Sequence, residues 1–185
     1  MAKVAIVYHS GFGHTKILAE AVARGAASVA GTQVDLIPVA EAEAKADTVN
    51  AADAIIFGSP TYMGNVSGPF KSWMDATAKT WYGQVWKDKI AAGFTNSGGP
   101  SGDKLNTLTT MWVFAMQHSM VWMSQGVMAG EQENGETLNR LSSYSGTMAT
   151  SANAEATADN PNKADQATGA RLGARVAEFA KKLKG

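Results

Sequence analysis

The chain has 185 residues, 45% of them apolar and 17% charged, and sixteen basic residues balance sixteen acidic ones. That length suits one domain with its own core, residues 1–185, and the balanced charge argues against a dedicated nucleic-acid binder and against a carrier that docks through a strongly acidic field. Cysteine is absent, which excludes disulfides, iron–sulfur ligation and thiolate chemistry.

The run Val4 to Tyr8 is short and β-branched and meets glycines at once, so it predicts a buried strand. It is too short for a leader core, and nothing approaches the roughly 20 apolar residues of a membrane span. A soluble, cytoplasmic protein without membrane contact is expected. Thr15 to Ala30 carries Leu18, Val22 and Val29 on one helical face and closes at Gly31. Gln33 to Val39 predicts a second strand and Ala54 to Phe57 a third, ended by Gly58-Ser59-Pro60. Gly68-Pro69-Phe70 opens a helix to about Ala78, with proline in the first turn where its missing N–H is harmless. Lys89 to Phe94 predicts a fourth strand. Leu105, Leu108, Trp112 and Ala115 mark one side of a helix ending at Gln117, and Met120 to Met123 predicts a fifth strand. Leu172, Val176, Phe179 and Leu183 form the stripe of a final helix. Residues 124–161 lose all periodicity and read as a long loop or insertion. Strands alternating with helices argue for an α/β fold with a parallel sheet covered on both faces.

Ligands of such sheets sit beyond the carboxyl ends of strands, so the loops after strands one, three and four belong together. The first, Ser10-Gly11-Phe12-Gly13-His14-Thr15, sets glycines and two hydroxyls at a helix start, which makes an anion site. It lacks the Gly-Lys-Ser/Thr of a P-loop, and Lys16 stands where a dinucleotide fingerprint needs its third glycine. A mononucleotide phosphate held by Ser10, Thr15 and backbone amides fits better. The second loop, Gly58 to Gly68, brings an aromatic and amides suited to the edge of a heterocycle. The third, Thr95-Asn96-Ser97-Gly98-Gly99-Pro100-Ser101-Gly102, is rich in N–H and hydroxyl groups. Together they suggest a cradle for a phosphorylated planar ring system. Three histidines in separate segments give no metal-binding spacing, so no metal is expected.

These three loops, with Gln117-His118-Ser119-Met120-Val121, resemble the corresponding segments of WrbA-type NAD(P)H:quinone oxidoreductases, and the resemblance spans nearly the whole chain in order. It implies a flavodoxin-like three-layer sandwich with a five-stranded parallel sheet in the order 2-1-3-4-5. It implies FMN as cofactor, NADPH or NADH as electron donor, a quinone acceptor, and a homodimer or homotetramer. By that resemblance Ser10, Gly11, Phe12, Gly13, His14 and Thr15 would hold the FMN phosphate. Pro60, Thr61, Tyr62, Met63 and Asn65 would run beside the isoalloxazine. Thr95, Asn96, Ser97, Gly98, Gly99 and Gly102 would meet its pyrimidine end and ribityl chain. Phe12, Trp81 and His118 would form the substrate pocket, with Trp81 and His118 orienting rings and His118 also near the flavin. No catalytic side chain is implied, because the flavin N5 carries the hydride. Family members usually carry Arg-Phe where this chain has Tyr62-Met63. The alternative is a flavodoxin-type carrier without NAD(P)H turnover of its own, and a third reading is a flavin-binding sensor.

Overall fold

In the computed structural model, which describes residues 1–184, the first apolar run forms β1 (Ala2–Tyr8). Its side chains alternate between two faces, Ala5 and Val7 on one and Val4 and Ile6 on the other, and all four are buried. That double burial is why the strand reads as continuous hydrophobicity. After β1 come α1 (His14–Ala27) and β2 (Thr32–Pro38), which pairs parallel with β1. The Ala-rich connection folds into two short helices, α2 (Val39–Ala42) and α3 (Ala46–Asn50).

β3 (Ala54–Tyr62) runs five residues beyond the expected end at Phe57. Gly58, Ser59 and Pro60 do not stop it because β3 keeps pairing with β5 (Ile90–Ser97), Ser59 opposite Thr95 and Pro60 opposite Asn96. Proline is tolerated there for a definite reason. The N–H of His9 donates to the Gly58 carbonyl, so Pro60, two residues on, turns its missing N–H to the side where β1 has ended. β3 then folds back through a tight turn at Met63-Gly64 onto β4 (Asn65–Val66). The next helix breaks at Thr77 into α4 (Gly68–Ala76) and α5 (Ala78–Tyr82).

After β5, α6 (Lys104–Gln117) buries Lys104, Thr107, Leu108, Met111 and Ala115. The expected stripe is therefore rotated: Leu105 is exposed, and Trp112 remains 45% exposed rather than packed in the core. Lys104, at the head of the helix, lies on the buried face. The fifth sheet position is built from two pieces. β6 (Val121–Trp122) pairs with the start of β5, and β9 (Thr147–Thr150) pairs with its end. The intervening chain carries a hairpin of β7 (Gln132–Glu133) and β8 (Glu136–Thr137). Buried amides hold this stretch in place: Asn139 Nδ2 donates to Val127 O at 3.1 Å, and Gln125 Nε2 to Thr168 O at 3.1 Å. The region expected as loop or insertion over 124–161 thus supplies half a strand.

α7 (Lys163–Lys184) closes the chain, burying Leu172 and Val176 while Leu183 faces out. The main sheet order is β2-β1-β3-β5-β6, with β9 also on β5, which is the flavodoxin-like order expected from the sequence. α1 and α7 cover one face and α2, α3, α4 and α6 the other. Among the described residues no helix is long and apolar enough to cross a membrane.

Candidate functional site

The carboxyl edge of the sheet opens into a cleft of about 720 Å³, within the range of about 300–1,000 Å³ usual for ligand pockets. Its floor and walls come from the loop after β1, the ends of β3 and β5, and residues 151–156. In the first loop, Gly13 takes the left-handed conformation (φ 92°) that turns the chain into α1. Ser10 Oγ accepts the N–H groups of Gly13 and Lys16, both at 3.1 Å, and Ile17 N donates to Gly13 O. His14 and Thr15 are left presenting N–H groups with no intrahelical acceptor. With the positive end of the helix dipole behind them, they form the anion end of the cleft.

The opposite wall is the extended end of β5. Asn96, Ser97 and Gly98 line the cleft, and Asn96 Oδ1 accepts the Ser151 hydroxyl at 2.8 Å, which leaves Nδ2 as its remaining donor. Pro60, Thr61 and Tyr62 line the floor. Tyr62 lies edge-on to Phe12, with ring centroids 6.3 Å apart, and its hydroxyl sits over Gly11. Burial raises the Tyr62 pKa, opposed by the Gly11 N–H, so the phenol stays protonated. Phe12, which lines the cleft, is 77% exposed and stands at its mouth, whereas Met63, expected beside the ring, is fully exposed in the turn after β3 and does not line the cleft.

Residues 151–156 complete the cleft, although none of them is among the site residues expected from the sequence. Ser151 N donates to Ser97 O at 3.1 Å, and His14 Nε2 lies 3.0 Å from Ala154 O. His14 therefore uses its imidazole to tie this segment to α1, in addition to offering its backbone. The only signal in the sequence was that the segment follows a strand, and that strand, β9, was itself hidden in aperiodic chain.

A site with an anion end, a flat polar wall and an apolar mouth is what a phosphorylated ring system needs. A family model described as NADPH-dependent FMN reductase matches residues 3–134. The chain belongs to the NADPH-dependent FMN reductase family. A relative described as flavodoxin FldP, from Pseudomonas aeruginosa (strain UCBPP-PA14), is 42% identical over 131 residues, 69% of this chain and 68% of that protein. The crystal structure of a flavodoxin, WrbA-like protein from Agrobacterium tumefaciens matches with a TM-score of 0.77 at 39% identity, covering 98% of this chain and 99% of that one. A flavodoxin from the domain Archaea shares the fold, with a TM-score of 0.69 at 23% identity over 97% of this chain and 99% of that one.

Within this FMN reductase family member, not every expected site residue reaches the cleft. Thr95 lies behind its floor, its hydroxyl 2.8 Å from that of Thr61, which is also 2.8 Å from that of Thr107. Asn65 turns toward α6, where Oδ1 accepts the Thr110 hydroxyl at 2.7 Å. Gly99 and Gly102 shape the turn before α6, and the Gly99 carbonyl points to Lys104.

Trp81 and His118 stand at the other end of the sheet. The Gln84 side chain donates to Trp81 O and accepts the Ser119 hydroxyl, just ahead of β5 and β6. Helices of this fold run back from the carboxyl edge, so residues at their ends return to the amino edge. His118 is buried against Trp86 (centroids 4.3 Å) and Phe114 (4.7 Å), and its Nε2 lies 3.0 Å from Thr77 Oγ1. Burial pushes its pKa down to about 4, so the ring is neutral near pH 7. In one copy of the chain His118 is a core residue, and neither it nor Trp81 lines the cleft.

Proposed function

We propose that this chain is an FMN-dependent oxidoreductase of the NAD(P)H:quinone type, with FMN held in the carboxyl-edge cleft. The observation that carries the reading is the pairing of an anion site at the head of α1 with a donor-rich wall at Asn96–Gly98 across one cleft. The residues fit the group. The Thr15 hydroxyl and the His14 and Thr15 amides suit a phosphate, and Ser10 braces the loop that presents them. Pro60 to Tyr62 and Asn96 to Gly98 suit the ring. FMN so bound would supply hydride acceptance from NADPH or NADH and two-electron delivery to a quinone.

The chain's own work is then to hold and orient. The Ser151–Ser97 and His14–Ala154 bonds keep the two walls at fixed separation, which is the positioning that transfer between stacked rings demands. Phe12 at the mouth, edge-on to Tyr62, favours a flat apolar acceptor over a charged one. No side chain in the cleft is required as a general acid. The exposed stripe Leu105, Trp112 and Met116 on α6 supports assembly into a dimer or tetramer.

A second reading, an FMN electron carrier without nicotinamide turnover, is favoured by the relative described as a flavodoxin. The zero net charge counts against it. Anaerobic mixing of the FMN-loaded protein with NADPH or NADH separates the two. Rapid loss of the flavin absorbance, restored by benzoquinone, is the expected result. Tight FMN binding without bleaching by either nucleotide would leave the carrier. Failure to bind FMN would overturn both.

A further inference from the structure

One buried cation beneath the cleft has no part in the functional reading above. Lys104, the first residue of α6, is fully buried. Its Nζ donates to Ser97 Oγ at 3.0 Å, to Gly99 O at 2.5 Å and to Thr150 Oγ1 at 3.3 Å. It therefore clasps the two strand ends that carry the cleft walls, β5 and β9. Ser97 lines the cleft, and its hydroxyl donates to Gly99 O at 3.1 Å. Lys104 already satisfies that carbonyl, so the Ser97 proton can swing to a cleft ligand without leaving a buried acceptor unpaired. An ammonium behind a hydroxyl makes that hydroxyl a stronger donor.

The charges facing Lys104 are few. From α7 comes Asp165, whose Oδ2 accepts Thr150 N at 2.9 Å and pairs with Arg140 at 2.6 Å. Arg140, from the segment before β9, adds a second positive charge. β5 and β9 contribute only the hydroxyls of Ser97 and Thr150. One carboxylate among two cations leaves a positive charge uncompensated under the wall. Burying a cation without its own counter-ion is costly, so its place beneath a ligand wall calls for an explanation.

We infer that Lys104 is a positioning residue for the reduced cofactor: acting through Ser97, it favours negative charge on the ring edge of a flavin bound against Asn96–Gly98. This rests on the proposed FMN site. Reduction by a nicotinamide hydride donor delivers two electrons and one proton to the ring, which then carries one negative charge. With Lys104 charged, that anion needs no second proton. Burial lowers the Lys104 pKa to about 8, with Asp165 opposing and Arg140 adding to the shift. Above that pH the lysine is mostly neutral beside an uncharged ring, and a negative ring draws a proton back onto it. Below about pH 8 reduction takes up one proton, and above it two, the second landing on Nζ.

The test uses FMN-loaded wild type, Lys104→Met, Lys104→Arg and Ser97→Ala, reduced anaerobically with dithionite against a reference dye from about pH 6 to about pH 9. Wild type is expected to bind reduced FMN more tightly than oxidised FMN, relative to Lys104→Met, by about tenfold or more. That is the order expected of a unit charge acting across one hydroxyl at an effective dielectric of about 20. The near-ultraviolet spectrum of the reduced form should be that of the anion in wild type and shift toward the neutral form in Lys104→Met. Lys104→Arg should keep the anion but lose the extra proton uptake above pH 8. If Lys104→Met does not fold, Ser97→Ala should show the weakened preference for reduced FMN with Lys104 in place. Equal proton uptake and equal reduced spectra in wild type and variants, with FMN bound in all, would overturn the role of Lys104 and leave the cofactor site standing. Wild type that binds no FMN would overturn both.

Discussion

The two ends of the sheet draw on similar residues and do opposite things with them. At the other end Trp73, Trp86, Phe114 and His118 turn inward on one another, and the cavity that Trp73 and Trp86 line beside α3 and α4 is only about 50 Å³. At the carboxyl edge Phe12, Tyr62 and His14 stand around a cleft of about 720 Å³. The strand ends explain the difference. β3 and β5 outrun β1, so their last residues present backbone groups and side chains without a covering helix. At the amino edge the returning helix ends seal the layer. A histidine or aromatic side chain therefore lines the cleft or packs in the core according to which edge it reaches.

The sharpest way to break this comparison is at the sealed end. Trp86→Ala should destabilise the fold by about 3–5 kcal/mol, as for other large core aromatics, while the folded fraction keeps its FMN affinity. Urea unfolding and flavin-fluorescence titration check the two halves separately. His118 gives a pH signature of the same kind. Its folded pKa lies below its unfolded value, so its contribution is present above about pH 6.5 and is lost as pH falls toward 4. A loss on the order of 2–3 kcal/mol over that window is expected, and His118→Phe should flatten the profile without weakening FMN binding.

At the open end the expected effects fall on the ligand instead. Gly13→Val asks a β-branched residue to take φ 92° beside Ala156, a strain of about 2 kcal/mol, and should weaken FMN binding roughly 30-fold. The smallest effect is predicted for Trp81→Ala, which should leave FMN affinity within about twofold because the residue lies at the far edge. A larger loss would place a second copy's Trp81 against the cleft, and the dependence of that loss on protein concentration would show it.

Much of the candidate site was legible because it is local. The Ser10 to Thr15 loop needs only glycines, hydroxyls and a helix start, and these are contiguous. Pro60 to Tyr62 and Asn96 to Gly98 were also found, though as loops rather than strand ends. Whether β3 stops at Phe57 depends on whether β5 is there to pair with Ser59 and Pro60. Trp81 and His118 do not line the cleft of their own chain, and similarity of segments says nothing about which edge of the sheet a helix end reaches. The wall at 151–156 was missed because β9 is four residues long and gains its partner only after a long excursion.

The sequence by itself determined the alternation of strands and helices, the burial of β1, β3 and β5 on both faces, and the glycine turn into α1. Each follows from periodicity or from residues adjacent in the chain, where local sterics and burial act directly. Only the tertiary structure decided that two separate segments share the fifth strand position, that α6 turns Lys104 inward and Trp112 outward, and which aromatics meet the cleft. Those outcomes depend on contacts between residues tens of positions apart, and no local pattern encodes the partner that a strand end or a helix face will find.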